Sequence, residues 1–291
     1  MRGLRLGNVL LAARSEYIKW LVSPRLILFA VVFLPLHDTL VSPLLRASER
    51  MGSPLNALEP CIVAVNSWMG LLLLGIVYII MMSPFPTVDG NMRFYIFRMG
   101  KRDWILGEML FQVLAAVTYS LATAAVMAAQ ALGRSFLANG WSLVVTDFDE
   151  QYGVEWGSRI EEILPPNLFF QIPPFRAFLF SYGLFTLFLL LCGMALVVGC
   201  LYQKRLLLFV LQPLHIAVGC ILAVVSGTGM WLFPVTHAFL ASHYRRYYRE
   251  YAFPPGLSVI LLLAAWLLLA FAMYRKAHRV GLDMIGGEVL K

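Results

Sequence analysis

Charge is scarce in this sequence: Asp, Glu, Lys and Arg make up 13% of its 291 residues, while 60% are apolar. A soluble domain cannot hide so much apolar surface, and at a mean hydropathy of +0.76 the bilayer is the expected solvent. Cysteine is scarcer still. Cys61, Cys192, Cys200 and Cys220 form no CxxC pair, and three of them fall inside expected spans, so buried thiols are expected rather than a disulfide framework or a metal site. No cleavable secretory leader is expected, because Met1–Lys19 mixes charges throughout and lacks a clean apolar core. No internal repeat and no soluble domain stand out. No basic patch sits on a domain that could hold a duplex, which argues against a nucleic-acid partner.

Long apolar runs are what the sequence has in quantity. Cys61–Val88, Met109–Gly133, Ala177–Gln203, Leu206–Tyr244 and Tyr251–Tyr274 are free of Asp, Glu, Lys and Arg, and Leu26–Leu45 is broken only by Asp38. A helix needs about 20 residues to cross the hydrocarbon, so each run suffices. Leu206–Tyr244 is too long for one span and too short for two. The expected fold is all-α, a polytopic membrane protein of six transmembrane helices forming one domain over residues 1–291. Six spans put both termini on one side. That side collects 15 basic residues against 6 acidic ones, and the other side 8 against 10. Both termini are therefore expected in the cytosol, and the net charge of +7 reads as a topology signal. Arg245, Arg246 and Arg249 are the exceptions, on the expected outer side.

Between the spans, residues 1–23 predict an interfacial helix. Leu6, Leu10, Tyr17 and Leu21 fall on one side and Arg5, Glu16 and Lys19 on the other, which suits the headgroup plane. Arg14 falls on the apolar side, where snorkelling accommodates it, and Pro24 turns the chain into the first span. The outer loop 134–176 carries Asp147, Asp149, Glu150, Glu155, Glu161 and Glu162 with Trp141 and Trp156, and predicts a folded cap on the helix ends. Pro165-Pro166 and Pro173-Pro174 oppose regular helix between them. In the outer segment 227–256, Ser226-Gly227-Thr228-Gly229 breaks the apolar pattern, and the short Met230–Tyr244 stretch predicts a half-membrane re-entrant element.

The loop 84–104 is the most informative segment. Pro84 and Pro86 end the second span, and Asp89 can cap a following helix. Met92, Tyr95, Ile96 and Met99 keep the i, i+3, i+4, i+7 spacing of one apolar face, while Arg93, Arg98, Lys101 and Arg102 lie off it. Two readings stand: a positive-inside loop anchored by its aromatics, or a helix on which a soluble partner docks.

An N-terminal amphipathic helix, six spans, a basic amphipathic helix between spans two and three and a broken stretch between spans five and six together resemble the ABC-2 type permease family. The pattern Phe85-Pro86-Thr87-Val88-Asp89-Gly90, Phe94-Tyr95-Ile96, Arg98-Met99-Gly100-Lys101-Arg102 and Trp104-Ile105-Leu106-Gly107 is similar to that of ABC-2-like membrane proteins of Gram-positive bacteria. The architecture covers essentially the whole chain and the local pattern about twenty residues. The resemblance implies a multi-pass protein of a bacterial plasma membrane, in which Asp89–Asp103 is a coupling helix seated on a separate cytosolic ATPase subunit. It also implies that two such six-helix units, identical or paralogous, form the transport path. The large acidic outer loop departs from the drug- and polysaccharide-exporting members.

This chain holds no phosphate cradle of its own. Gly100-Lys101 is followed by Arg102 where Ser or Thr is required, and Tyr95 stands at the first glycine position. The chain is thus not expected to be an enzyme or to carry a cofactor; ATP-Mg would belong to the partner subunit. Polar groups within spans are costly and mark candidate function. Gln212 and His215, three apart on one face of span five, and Asp38 in span one are the candidate lining of a translocation path, with interhelical hydrogen bonding as the alternative. Asn66, Gln112 and Gln130 read as interhelical bonds.

An intramembrane hydrolase is the remote alternative. Glu161-Glu162 resembles the paired glutamates of intramembrane prenyl-peptide proteases but lies in an outer loop, and Ser226 lacks a histidine on a neighbouring span. His237 and His243 are six apart, not the four that a helical metal pair needs. A membrane scaffold or sensor without transport is the nearer alternative.

Overall fold

The computed structural model describes residues 5–87, 98–156, 160–227, 229–245 and 250–279. Helix α1 (Leu6–Leu21) stops before Ser23-Pro24. Helix α2 (Leu26–Met51) contains a π-turn at His37–Val41, just after Pro35, whose carbonyl takes the Thr39 hydroxyl at 2.7 Å. It ends on Gly52 in a left-handed cap. A two-residue strand β1 (Leu55–Asn56) follows.

The second apolar run does not form one straight helix. It divides into α3 (Leu58–Asn66) and α4 (Trp68–Met82), bent by 79°. Ser67 is extended at the break, and its hydroxyl caps α4 by accepting from Gly70 N at 2.9 Å. A side chain at Gly70 would begin 1.8 Å from the Ala64 carbonyl oxygen, so only glycine fits the bend.

Helix α5 (Lys101–Ala129) leads to strand β2 (Ser135–Phe136), which pairs in parallel with β1. Helix α6 (Leu143–Trp156) and the single turns Ile160–Ile163 and Pro166–Phe169 build the segment before α7 (Pro174–Leu201). The turn at Pro166 fits between the proline pairs because a first-position proline forfeits no helical bond. Val144, Phe148, Ile160, Leu164 and Leu168 are buried, so this segment is packed rather than loose.

Helix α8 (Arg205–Val224) ends well short of Tyr244. Short pieces fill the remainder of the run, among them α9 (Pro234–Ala238) and a 3-10 turn at Leu240–His243. They bury Val235, Ala238 and Leu240 and pack against α7, α8 and the last helix, α10 (Pro255–Arg279).

Among the described residues five helices are long and apolar enough to cross a membrane (α2, α5, α7, α8 and α10), and the bent α3–α4 pair is the sixth candidate. Helix α7 is the spine: 67% of its most apolar stretch is buried, against 17% in α8 and 22% in α10. Leu206, Leu214, Ile221, Leu268 and Phe271 project from α8 and α10 into the surroundings, as lipid-facing side chains do.

Contacts between elements define two ends of the bundle. At the near end Arg25 donates to the carbonyl of Ile80 and to the Ser83 hydroxyl, and Trp104, Ile105, Leu201 and Met273 share a small apolar cluster. At the far end β1 meets β2, Arg134 pairs with Glu49, and Trp141 Nε1 donates to the Ile172 carbonyl at 2.9 Å.

Helix α1 corrects the sequence expectation at Glu16. Leu6, Leu10 and Leu21 face outward, and the side packed on α5 is Val9, Ala12, Ala13, Glu16 and Trp20. Glu16, expected on the polar outer face, is wholly buried.

Candidate functional site

The connection between α4 and α5 is held at both ends by α1. On the α4 side, Phe85 is buried with its ring 5.0 Å from that of Phe111. Two residues on, the Thr87 hydroxyl lies 2.8 Å and 3.0 Å from the two oxygens of Glu16. Lys19 Nζ donates to Glu16 Oε1 and to Thr87 Oγ1, each at 3.0 Å, closing a three-membered polar clamp. A buried carboxylate is tolerated only with such partners. On the α5 side, Gly100 takes φ +94°, a value open to glycine, and turns the chain into the helix. One turn later Asp103 is buried and accepts from Asn8 Nδ2 at 3.0 Å.

Of the expected docking residues, Asp89, Met92, Arg93, Tyr95 and Ile96 lie outside the described residues. Arg98 and Arg102 are exposed, whereas Met99 and Lys101 are half-buried. Arg98, Lys101 and Arg102 therefore stand next to the Asp103–Asn8 anchor. The clamps themselves escaped sequence reasoning. Periodicity assigns Glu16 to solvent, and only the tertiary approach of Thr87 reveals its role.

Gln212 and His215 do share the half-buried face of α8. Gln212 Nε2 donates to the Cys192 carbonyl of α7 at 3.2 Å, and the His215 ring lies 4.8 Å from that of Phe233. Asp38 is exposed on the π-turn of α2 and is not brought to them; its neighbour His37 bonds Gln130 Oε1 at 2.8 Å. Asn66 donates to the Ser181 hydroxyl at 2.7 Å and accepts from Ala241 N at 3.1 Å.

A second polar group gathers around Gly193 of α7. A Cβ placed there would fall 2.2 Å from Gln112 Oε1 and 3.2 Å from the Tyr78 hydroxyl. The amide of Gln112 and the hydroxyl of Tyr78 are buried without hydrogen-bond partners among the described residues, and buried Glu108, one turn before Gln112, lies beside Trp104, Glu16 and Lys19. Interiors rarely leave such groups unpaired, so this junction of α4, α5 and α7 is the polar seam of the bundle.

The remaining cluster sits in the 230–258 region. The Ser258 hydroxyl lies 2.8 Å from His237 Nδ1 and 2.7 Å from His243 Nε2. The six-residue spacing of the histidines hides this, because two separate turns, not one helix, bring them together. Ser226, two residues beyond the end of α8, takes φ +54°, and Asp149 caps the turn of Glu161-Glu162 by accepting from Ile160 N and Glu161 N. Among the described residues no group of three or more His, Cys, Asp or Glu could hold a metal ion.

No family model, curated protein or solved structure matches the chain.

Proposed function

We propose that this chain is the six-span, permease-like subunit of an ATP-binding-cassette transporter of the ABC-2 type, lying in a bacterial plasma membrane with both termini in the cytosol. A separate cytosolic ATPase would bind ATP-Mg, and a second permease copy or paralogue would complete the transport path. The observation that carries this reading is the double clamp. The loop expected to meet the ATPase is fixed to α1 through Glu16–Thr87 on one side and Asn8–Asp103 on the other. A push on such a loop moves α1 and α5 as one body, and α5 carries Glu108 and Gln112 of the polar seam. Rigid coupling of this kind is what a motor outside the membrane needs.

The test begins with affinity purification in mild detergent from the native host. A stoichiometric P-loop ATPase among the co-purifying proteins is the expected result. Reproducible absence of an ATPase, with the chain intact, would instead favour a membrane scaffold or sensor. With the ATPase in hand, Lys101→Glu combined with Arg102→Glu should abolish stimulation of ATP hydrolysis by the permease while leaving its thermal unfolding unchanged. Full stimulation in that double variant would overturn docking at this loop.

A further inference from the structure

The hydrogen bonds of His237 and His243 do not close with two neutral rings. Both residues and Ser258 are buried, outside the candidate spans in the case of the histidines and in the first turn of α10 in the case of the serine. Each ring has one nitrogen on a backbone carbonyl: His237 Nε2 is 2.9 Å from the oxygen of Trp231, and His243 Nδ1 is 2.8 Å from the oxygen of Phe239. A carbonyl can only accept, so both of these nitrogens carry hydrogen. The opposite nitrogens, which face Ser258 Oγ at 2.8 Å and 2.7 Å, are then bare lone pairs. The serine brings one hydrogen and can satisfy one of them. The other contact sets a nitrogen lone pair against an oxygen lone pair at hydrogen-bond distance.

One added proton repairs the arrangement. An N–H on either ring donates to Ser258 Oγ, and the serine hydrogen passes to the other ring. The surroundings suit the resulting imidazolium. The Trp231 ring lies 5.5 Å from the His237 ring and 5.2 Å from the His243 ring, and Phe253, stacked on Trp231 at 4.4 Å, lies 5.4 Å and 6.2 Å from the same two. Aromatic faces at such distances attract a cation. We propose that His237, Ser258 and His243 form a binding site for a single proton, held between the two rings through the serine hydroxyl.

Among the described residues, α8 contributes His215 and Cys220, α7 contributes Tyr182 and Arg176, and the flanking turn contributes Tyr244 and Tyr251, while Arg205, Cys200, Tyr274, Arg275 and Lys276 lie at the opposite ends of α8, α7 and α10 and Cys192 lies farther along α7. Arg176 acts on Tyr244, and Arg245 and Glu250 are exposed and pair with each other at 3.4 Å. No carboxylate is hydrogen-bonded to either ring among the described residues. Burial pushes His243 down from 6.5 to about 4 and lowers His237 as well, and each charge would oppose a second on the other ring. The proton therefore enters only below the ordinary histidine value, and the first charge opposes a second. The site does not depend on the transport reading.

The test is nuclear magnetic resonance of the full-length protein in lipid nanodiscs with ring-labelled histidine, titrated from about pH 8 to about pH 2.5, well below the ordinary histidine value because burial lowers both rings. His237→Gln and His243→Gln assign the signals. At the alkaline end His237 should be the Nε2–H tautomer and His243 the Nδ1–H tautomer. On acidification the two rings should titrate together and take up one proton between them. Ser258→Ala should uncouple them and move the midpoint at least one pH unit lower. Different tautomers, two independent titrations, or no uptake by either ring would overturn the proposal. The tautomer measurement uses the unaltered protein, so it decides the matter even if Ser258→Ala fails to fold.

Discussion

Glu59 sits wholly buried at the start of α3, yet it has three hydrogen-bond donors. Ser142 offers its N–H at 2.7 Å and its hydroxyl at 2.9 Å, and Asn56 its N–H at 3.0 Å. Asn56 in turn donates through its side chain to the carbonyls of Ala138 and Gly140, at 2.7 Å and 2.8 Å. One carboxylate thus fixes the whole passage from β2 to the beginning of α6. Removing it strands three buried donors, a cost of about 1–3 kcal/mol. Glu59→Ala should lower the thermal midpoint in detergent and speed protease cleavage between residues 136 and 143, with Glu59→Gln falling between the two because it keeps one acceptor oxygen. An unchanged midpoint and unchanged cleavage in Glu59→Ala would show the carboxylate to be incidental. Nothing in the sequence marks Glu59 for this role. It stands next to Pro60 at the edge of an apolar run, and its partner Ser142 lies 83 residues away.

At the scale of elements, the seam between α1 and α5 is the closest helix approach that bears on the proposed function. A Cβ on Gly107 would lie 2.5 Å from Ala12 Cβ and 3.1 Å from the Val9 carbonyl oxygen. Small residues let helices in lipid approach so closely, since apolar bulk gains nothing there by leaving water. This explains why the periodicity of α1 misleads. Leu6, Leu10 and Leu21 mark the lipid side, while the protein side is recognised by small size and by polar groups that find partners: Ala12, Ala13, Asn8 and Glu16. That long apolar helices exist was legible from the runs, because bilayer thickness sets a minimum length, but their ends were not: α5 begins at Lys101 and α8 stops at Val224. Nor was the break at Ser67 legible, because it depends on the fit of Gly70 against the Ala64 carbonyl. Gly107→Leu should wedge α1 away from α5, and a cysteine placed at buried Ala13 should then react with maleimide faster than in the parent. The wedge costs about 1–3 kcal/mol, small enough for the bundle to survive. Equal labelling rates in both backgrounds would mean that α1 is held elsewhere.

For the whole molecule the decisive question is whether the α3–α4 pair counts as one crossing. At 1.5 Å per residue its arms are about 14 Å and about 22 Å long. With a bend of 79° the pair reaches about 28 Å from end to end, against about 22 Å for α4 alone. The contacts nevertheless place its two ends at opposite ends of the bundle. Its beginning follows β1, which pairs with β2 beyond the close of α5, and its finish is tied by Ile80 and Ser83 to Arg25 at the opening of α2. Helix α1 joins that same near end through Thr87 and Asp103, and so does the close of α10, where Lys276 lies over the Tyr202 ring at 4.8 Å. An even number of crossings would then leave both termini together, as the sequence expectation has it. Were α3–α4 a re-entrant hairpin that returns to its own side, five crossings would part the termini. Single cysteines at Arg5, Glu150 and Lys291, introduced into a chain with its four native cysteines replaced, separate the two cases. With a membrane-impermeant maleimide on intact cells, Glu150→Cys should label, and Arg5→Cys and Lys291→Cys should label only after permeabilisation. Labelling of one terminus but not the other in intact cells would make α3–α4 a hairpin and remove the basis for a cytosolic loop between α4 and α5.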